Sequence, residues 1–285
     1  TLSSSSAASD VYKRQDLYRL VKSKGFYIVI GVVIIMAIIS VISMSEGHIG
    51  LSVGSSVDVT DAETLSKISS AKSLGEFRDI MKSFGAFKLD REIIGQNVNL
   101  YYMFIVFVVI ILTKDFSNKS IKNTLSSAIS RKKYYISKLL LILGISTLLI
   151  VFNNYFNYFL NLAVNGKEFS SNIGEITKIT IYQLPLLYGI ICLLVSIAFI
   201  TRKTSMFNTI SIPFIMVFQL LVMTITSMFR IKAEWFTNYE LQYALVNLSN
   251  NPTSSYILKC SLLGFVYIVV FGLIGYYAFK KAEIK

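Results

Sequence analysis

The sequence predicts an all-α, polytopic membrane protein with six transmembrane helices and both termini in the cytoplasm. Of its 285 residues, 54% are hydrophobic and only 15% are charged, and the mean hydropathy is +0.60. A soluble globular domain is about 45–50% apolar and about 25% charged. Six runs lack any charged residue or histidine, and each can cross roughly 30 Å of hydrocarbon as a helix. The composition therefore excludes a soluble domain and a disordered chain.

The six charge-free runs define the predicted spans. In chain order they are 25–44, 93–113, 139–164, 181–201, 207–229 and 260–279. The second run is the weakest, because its first turns are polar and its dense apolar part, 100–112, is short for a span. We therefore expect the second span to begin at the membrane interface.

The distribution of charge between the spans predicts the orientation. Segments on one side carry 17 Lys/Arg and 4 Asp/Glu; they are 1–24, 114–138, 202–206 and 280–285. Segments on the other side carry 11 Lys/Arg and 12 Asp/Glu; they are 45–92, 165–180 and 230–259. Positive charge accumulates on the cytoplasmic side, which places both termini inside and loop 45–92 outside. The net charge of +12 thus reflects the topology in the lipid bilayer, and no nucleic-acid partner is needed to explain it.

The N-terminal region divides into two parts. Residues 1–15 are Ser-rich, lack an initiator Met and look like a translated sequencing adaptor; we expect a non-native leader, with a disordered native tail as the alternative. Residues 16–285 are then one transmembrane domain. In segment 16–24, Leu17, Leu20 and Val21 share one helical face, which predicts an interfacial helix leading into the first span.

Two outer segments carry helix signals. Loop 45–92 contains the capping boxes Thr60-x-x-Glu63 and Ser73-x-x-Glu76, which predict two short amphipathic helices. In segment 230–259, aromatic residues recur at helical spacing before Asn250-Asn251-Pro252, which predicts an interfacial or re-entrant helix. The function of loop 45–92 stays open at this point.

The chain offers no catalytic, cofactor or metal site. Cys192 and Cys260 lie in apolar runs far from any partner, and His48 is the single histidine. The Gly166-Lys167 pair does not belong to a phosphate-binding loop. No span contains a carboxylate or a histidine, whereas ion-coupled transporters place such groups inside the membrane. The pattern argues against an enzyme and against a self-sufficient secondary transporter.

The third predicted span contains a polar stripe. Asn153, Asn157 and Asn161 recur at i, i+4 and i+8, so they share one face of a helix. Amides in a membrane need hydrogen-bond partners, and contacts between helices are the first interpretation. The alternative is a stripe that faces a translocation path or a dimer seam.

The most informative segment is the basic stretch 114–138, which holds seven cations and one acid. Ile121, Leu125 and Ile129 form an apolar stripe at helical spacing. Such a helix can lie on anionic lipid or pack into the groove of a partner. The residues alone favour the lipid surface.

This segment resembles the signature that follows the second span of ABC-2 type transporter permeases. The similarity is carried by Asp115, Phe116, Lys119, Ser120, Ile121, Lys122, Asn123, Leu125 and Ser126, followed by Ile129, Ser130, Arg131, Tyr134, Tyr135, Ser137 and Lys138. Members of that family usually carry Glu at the place of Asp115 and often Gly at the place of Lys119. The first difference keeps the charge, and the second removes a flexible turn.

The resemblance implies a type V exporter-like permease in a bacterial plasma membrane, similar to the permeases of bacitracin and lantibiotic immunity and of sodium extrusion. It implies a homodimer or a pair with a sister permease, and separate ATPase subunits that bind ATP and Mg. This chain itself would bind no cofactor. The residues implied to couple it to the ATPase are Asp115, Phe116, Lys119, Ile121, Lys122, Asn123, Leu125, Ser130, Arg131 and Lys132.

Within that set, the expected polar contacts are Asp115, Arg131 and Lys132, and the expected apolar anchors are Ile121 and Leu125. The expected function is export of an amphipathic or peptide-like substrate by alternating access. The alternative is a non-transporting membrane sensor or scaffold that reads extracellular peptides through loop 45–92.

Overall fold

The structure is a computed structural model that describes residues 14–45, 88–118, 121, 130–228, 241–250 and 252–282. Every regular element within these ranges is a helix, which confirms the all-α prediction. Several predictions lie outside the described residues: the leader up to residue 13, the two helices of loop 45–92, the aromatic segment before residue 241, and the roles of Lys119, Lys122, Asn123 and Leu125.

The described helices are numbered here in chain order. They are α1 (residues 14–21), α2 (Lys24–Ser45), α3 (Leu89–Gly95), α4 (Leu100–Val108), α5 (Lys114–Ser117), α6 (Arg131–Asn165), α7 (Ile173–Thr201), α8 (Thr204–Met228), α9 (Leu241–Ser249) and α10 (Ser254–Lys280). Short 3₁₀ turns at Asn97–Asn99 and Lys167–Phe169 precede α4 and α7, and a π turn at Val109–Thr113 joins α4 to α5.

Five described helical segments are long and apolar enough to cross a membrane. They are Lys24–Ser43, Leu100–Ser117, Arg131–Asn165, Lys167–Thr201 and Ser254–Lys280. The predicted span 207–229 overlaps α8 as far as Met228, and the stretch Thr204–Val217 of α8 is a shorter apolar helix. The protein is therefore membrane-embedded in character, while the sixth span and the side on which the termini lie stay predictions.

Several helices extend beyond the predicted spans. The segment predicted as one loop, 114–138, begins with α5 and ends with the first turns of α6. Helix α6 begins early because Ser130 caps it: the Ser130 Oγ accepts a hydrogen bond from the Lys133 N–H at 3.3 Å. Helix α7 begins eight residues before the predicted span, at a capping box formed by Asn172 and Glu175.

Helix α7 lies at the centre of the bundle. It contacts α4, α6, α8, α9 and α10, and its side chains Leu186, Leu194 and Phe199 are fully buried. By contrast, α2 and α10 carry long rows of exposed apolar side chains, such as Ile39 and Phe265. Apolar side chains of this kind suit a hydrocarbon environment, in which burial inside the protein is not required.

An aromatic cluster closes one end of the bundle. The ring of Phe199 lies 4.8 Å from Tyr135 and 4.9 Å from Phe279, centroid to centroid. Phe116 meets the rings of Phe199 and Phe279 edge to face. The cluster thus joins α5, α6, α7 and α10 at the end of the bundle from which segment 118–130 emerges.

Candidate functional site

Four buried or half-buried charges meet at this same end of the bundle; Asp16, Arg19, Asp115 and Lys138 are called the charge cluster below. Lys138 is fully buried. Its Nζ lies 2.8 Å from Asp16 Oδ2 and 2.5 Å from Asp115 Oδ2. Arg19 Nη1 donates to Asp115 Oδ1 at 2.7 Å. The cluster therefore ties α1 to the end of the second span and to the beginning of α6.

The charge cluster is balanced and well supplied with hydrogen bonds. Two carboxylates face two cations, the Tyr134 hydroxyl donates to Asp115 at 3.1 Å, and Lys138 Nζ donates to the Ile111 carbonyl at 2.9 Å. That carbonyl belongs to the π turn, an element that is frequent at functional sites. Burial raises the pKa of Asp16, while the neighbouring Lys138 acts in the opposite direction. Such a network fixes one arrangement of its helices, because separating any charge leaves another unpaired.

The residues that the resemblance singles out fall into two groups. Asp115 is 1% exposed and Ile121 is 3% exposed, and Phe116 belongs to the aromatic cluster. Arg131 donates through Nη1 to the carbonyl of Lys280 at the end of α10, at 2.6 Å, and to the carbonyl of Ala282 just after the helix, at 2.9 Å. Asp115 and Arg131 thus make contacts within the chain, and their expected contacts with a partner stay a prediction.

Ser130 and Lys132 form the second group, since both are exposed. Ser130 caps α6, as described above, and Lys132 lies in the first turn of the same helix. Of the coupling residues that the structure describes, Lys132 is the one whose charge is presented outward. It is consequently the side chain on which a direct partner contact can be tested.

A network of amides lies deeper in the bundle, between α6, α7 and the turn before α4. Asn97 Nδ2 donates to Asn154 Oδ1 at 2.9 Å and to Gln183 Oε1 at 2.6 Å, and Asn97 Oδ1 accepts from Asn153 Nδ2 at 2.9 Å. Gln183 Nε2 donates at 3.2 Å to the carbonyls of Ile94 and Leu245. Gln183 thus ties α7 to the backbone of α3 and of α9.

A cavity of about 250 Å³ adjoins this network. Its walls come from α2, from the broken start of the second span and from α6; the lining includes Val33, Ala37, Met103, Asn153 and Asn157. The predicted asparagine stripe therefore divides. Asn153 and Asn157 line the cavity, whereas Asn161 Nδ2 donates to the Phe169 carbonyl at 3.1 Å and holds the connection between α6 and α7. The latter contact is structural.

A second polar cluster at the opposite end of the bundle was not predicted. Asp90 is fully buried and accepts from the Ser171 N–H at 2.7 Å and from the Ser171 hydroxyl at 2.9 Å. Its neighbour Arg91 donates to Glu175 Oε2 at 2.5 Å. Burial raises the pKa of Asp90, against the hydrogen bonds that favour its charged form. The cluster attaches α3 to the start of α7.

Replacing Asn97 by leucine tests the amide network. We expect the free energy of unfolding to fall by about 1–3 kcal/mol, because the change removes the hydrogen bonds of Asn97 to Asn153, Asn154 and Gln183. Asn99 is exposed two residues away, so Asn99→Leu is the matched control. Thermal unfolding of both variants in detergent measures the difference. Equal stability of Asn97→Leu and the control would show that the network carries no net stabilisation.

Among the described residues, no group of three or more His, Cys, Asp or Glu side chains could hold a metal ion. A family model described as "Protein of unknown function (DUF2705)" matches residues 88–285, so the chain belongs to the DUF2705 family. The match begins just before α3 and includes all residues of the amide network. It also includes Asp115 and Lys138 of the charge cluster, whereas Asp16 and Arg19 of α1 lie before it. No curated protein and no solved structure matches the chain.

Proposed function

We propose that this DUF2705 protein is the membrane-spanning permease subunit of an ATP-binding cassette exporter in a bacterial plasma membrane. In this proposal it has six spans and cytoplasmic termini. It pairs with a second copy or a sister permease, and a separate ATPase subunit hydrolyses ATP with Mg. The cargo is amphipathic or peptide-like and leaves the cell by alternating access.

The observation that carries the proposal is the attachment of segment 118–130 at both of its ends. Asp115 lies three residues before this segment and Lys138 eight residues after it, and the Lys138 side chain binds both Asp115 and Asp16. Force applied to the segment is therefore delivered to the second span, α6 and α1 together. An ATPase subunit needs such a connection in order to move several spans at once.

The second span has the discontinuities that a moving helix requires. It is interrupted by a 3₁₀ turn at Asn97–Asn99 and by a π turn at Val109–Thr113. Interruptions of this kind often mark functional hinges, and packed elements switch between discrete arrangements rather than deforming continuously. We infer that the span rearranges at these two turns when the ATPase closes.

The exposed charge of Lys132 gives the sharpest test of this function. We expect Lys132→Glu to reduce the ATP hydrolysis that depends on this chain by about tenfold, since reversing a charge in a contact costs roughly 1.4 kcal/mol or more. The assay uses the complex purified with the products of neighbouring genes. Lys178→Glu is the matched control, because Lys178 is exposed on α7 at the opposite end of the bundle.

Ile121→Asp is a weaker test, because Ile121 is buried within the chain and the variant can fail by misfolding. If Lys132→Glu and Lys178→Glu both retain full hydrolysis and co-purification, segment 118–138 is not the coupling surface. If no protein with a phosphate-binding loop co-purifies, the permease function itself is overturned. A histidine kinase recovered in its place would favour the alternative function, a sensor or scaffold for extracellular peptides.

A further inference from the structure

The cavity beside the amide network contains an unused hydrogen-bond acceptor. Asn157 is 2% exposed and lines the cavity. Its Nδ2 donates to the Asn153 carbonyl at 2.8 Å and contacts Asn153 Oδ1 at 3.2 Å. Its Oδ1 is buried and accepts no hydrogen bond from any residue that the structure describes. Leaving a buried acceptor unsatisfied costs about 1–3 kcal/mol. A ligand that donates a hydrogen bond to this atom would therefore be favoured.

The neighbouring amides cannot supply that donor. Asn97 uses its Nδ2 on Asn154 and Gln183, and Asn153 uses its Nδ2 on Asn97 and Asn154. The two amides next to Asn157 therefore have no N–H left over for its Oδ1.

The lining disfavours a charged occupant. No charged residue lines the cavity, and burying a charge without a partner of opposite sign is strongly unfavourable. The wall combines polar side chains such as Ser40 and Gln96 with apolar ones such as Val33, Ala37 and Leu100. The occupant that fits is uncharged, with one hydroxyl or amide N–H and an apolar body.

The volume limits the size of the occupant. An apolar cavity of about 150 Å³ accepts benzene, so about 250 Å³ has room for roughly ten non-hydrogen atoms. We propose that this cavity, between α2, the start of α4 and α6, is a binding site for a small uncharged amphipath that donates a hydrogen bond to Asn157 Oδ1. The inference goes beyond the proposed function and holds equally for a permease and for a sensor.

Photolabelling of the purified full chain in lipid nanodiscs tests the site. The probe is a six-carbon alcohol that carries a diazirine, and the comparison compound is its methyl ether, which has the same body and no donor. We expect the alcohol to label peptides that contain cavity residues such as Met36 and Met103, and the ether to label them about fivefold less. Asn157→Leu should lower labelling by the alcohol to the level of the ether.

A second variant keeps the test decisive if Asn157→Leu fails to fold. Ala37→Leu fills the cavity and leaves every amide in place, and it should abolish labelling by both compounds. Ile38→Leu is the matched control, because Ile38 is exposed on the next position of α2. Equal labelling by alcohol and ether, or labelling that survives Ala37→Leu, would overturn the site. No ATPase or nucleotide is present, so a negative result leaves the permease proposal standing.

Discussion

Replacing Lys138 by methionine is expected to destabilise the protein more than any other single change of charge. The side chain is fully buried, and its Nζ holds both Asp16 and Asp115. Methionine fills a similar volume but leaves the two carboxylates without the ammonium group that binds both of them. Removing one partner of a buried ion pair costs about 3–5 kcal/mol, which is a large share of the roughly 5–15 kcal/mol that stabilises a typical domain.

The measurement is the thermal midpoint of the full chain in detergent, followed by size-exclusion chromatography. Lys132→Met is the control, because it removes an exposed cation from the same helix, and we expect its midpoint to match that of the wild type. The double variant Lys138→Met/Asp115→Leu should recover part of the loss, since it leaves Asp16 with Arg19, whose Nη1 lies 3.8 Å away. If Lys138→Met is as stable as Lys132→Met, the charge cluster contributes nothing to the stability of the fold.

The cluster also predicts a functional phenotype that is separate from stability. In the proposed permease, Asp115→Asn keeps the side-chain shape but weakens the link between the second span and α6. We expect this variant to fold and to bind the ATPase subunit, yet to transmit less of its motion, so that ATP hydrolysis loses its dependence on cargo. Cargo-stimulated and basal hydrolysis, measured side by side on the same complex, check this expectation. Unchanged stimulation would assign Asp115 a purely structural role.

Enlarging Gly264 is the second change with a large expected effect. A Cβ atom at this position would lie 2.5 Å from the backbone carbon and oxygen of Pro185 and 2.8 Å from the Leu186 nitrogen. Backbone atoms cannot move aside as a flexible side chain can. Gly264→Leu therefore forces α7 and α10 apart. Overpacking of this kind typically costs about 1–3 kcal/mol and occasionally more; we expect the upper end, because α7 is the centre of the bundle.

Helix α10 offers its own control for this prediction. Gly272 has open space where a Cβ would be added, and alanine is better than glycine in a helix by about 1 kcal/mol. Gly272→Ala is therefore expected to be neutral or slightly stabilising. Thermal midpoints of Gly264→Ala, Gly264→Leu and Gly272→Ala, measured together, separate loss of close packing from a general effect of altering glycines. If all three midpoints agree, close packing of α7 on α10 is not required.

Parts of the site were predictable from the sequence. The spacing of the asparagine stripe shows which residues share a face of α6, but not which groups they bond. Asn153 bonds to Asn97 of the second span, Asn157 bonds within α6, and Asn161 bonds to the turn after α6. Asn97 was recognised only as a polar residue that weakens a span. It proves to be the centre of the amide network, because it bonds to residues 57 and 86 positions away, and no local pattern encodes such a pairing.

The charge cluster shows the same limit more clearly. Asp115 follows one span and Lys138 precedes the next, so the predicted topology places both at the same face of the membrane, and opposite charges at one depth are a signal for pairing. Asp16 joins them from 122 residues before Lys138. The contact of Asp16 with Lys138 depends on how α1 lies across the bundle. The amphipathic pattern of α1 does not specify that placement.

The sequence by itself determined that the chain is a bundle of membrane helices. A long uncharged run lies in the membrane, where no water can hydrogen-bond to its backbone. A helix pairs the backbone N–H and C=O groups within the run itself. Only the tertiary structure decided which polar groups meet, because helices of similar composition can pack in many arrangements. The buried Lys138, the amides around Asn97 and the contact of Gly264 with Pro185 select one of them, since each is favourable only when its distant partner is in place.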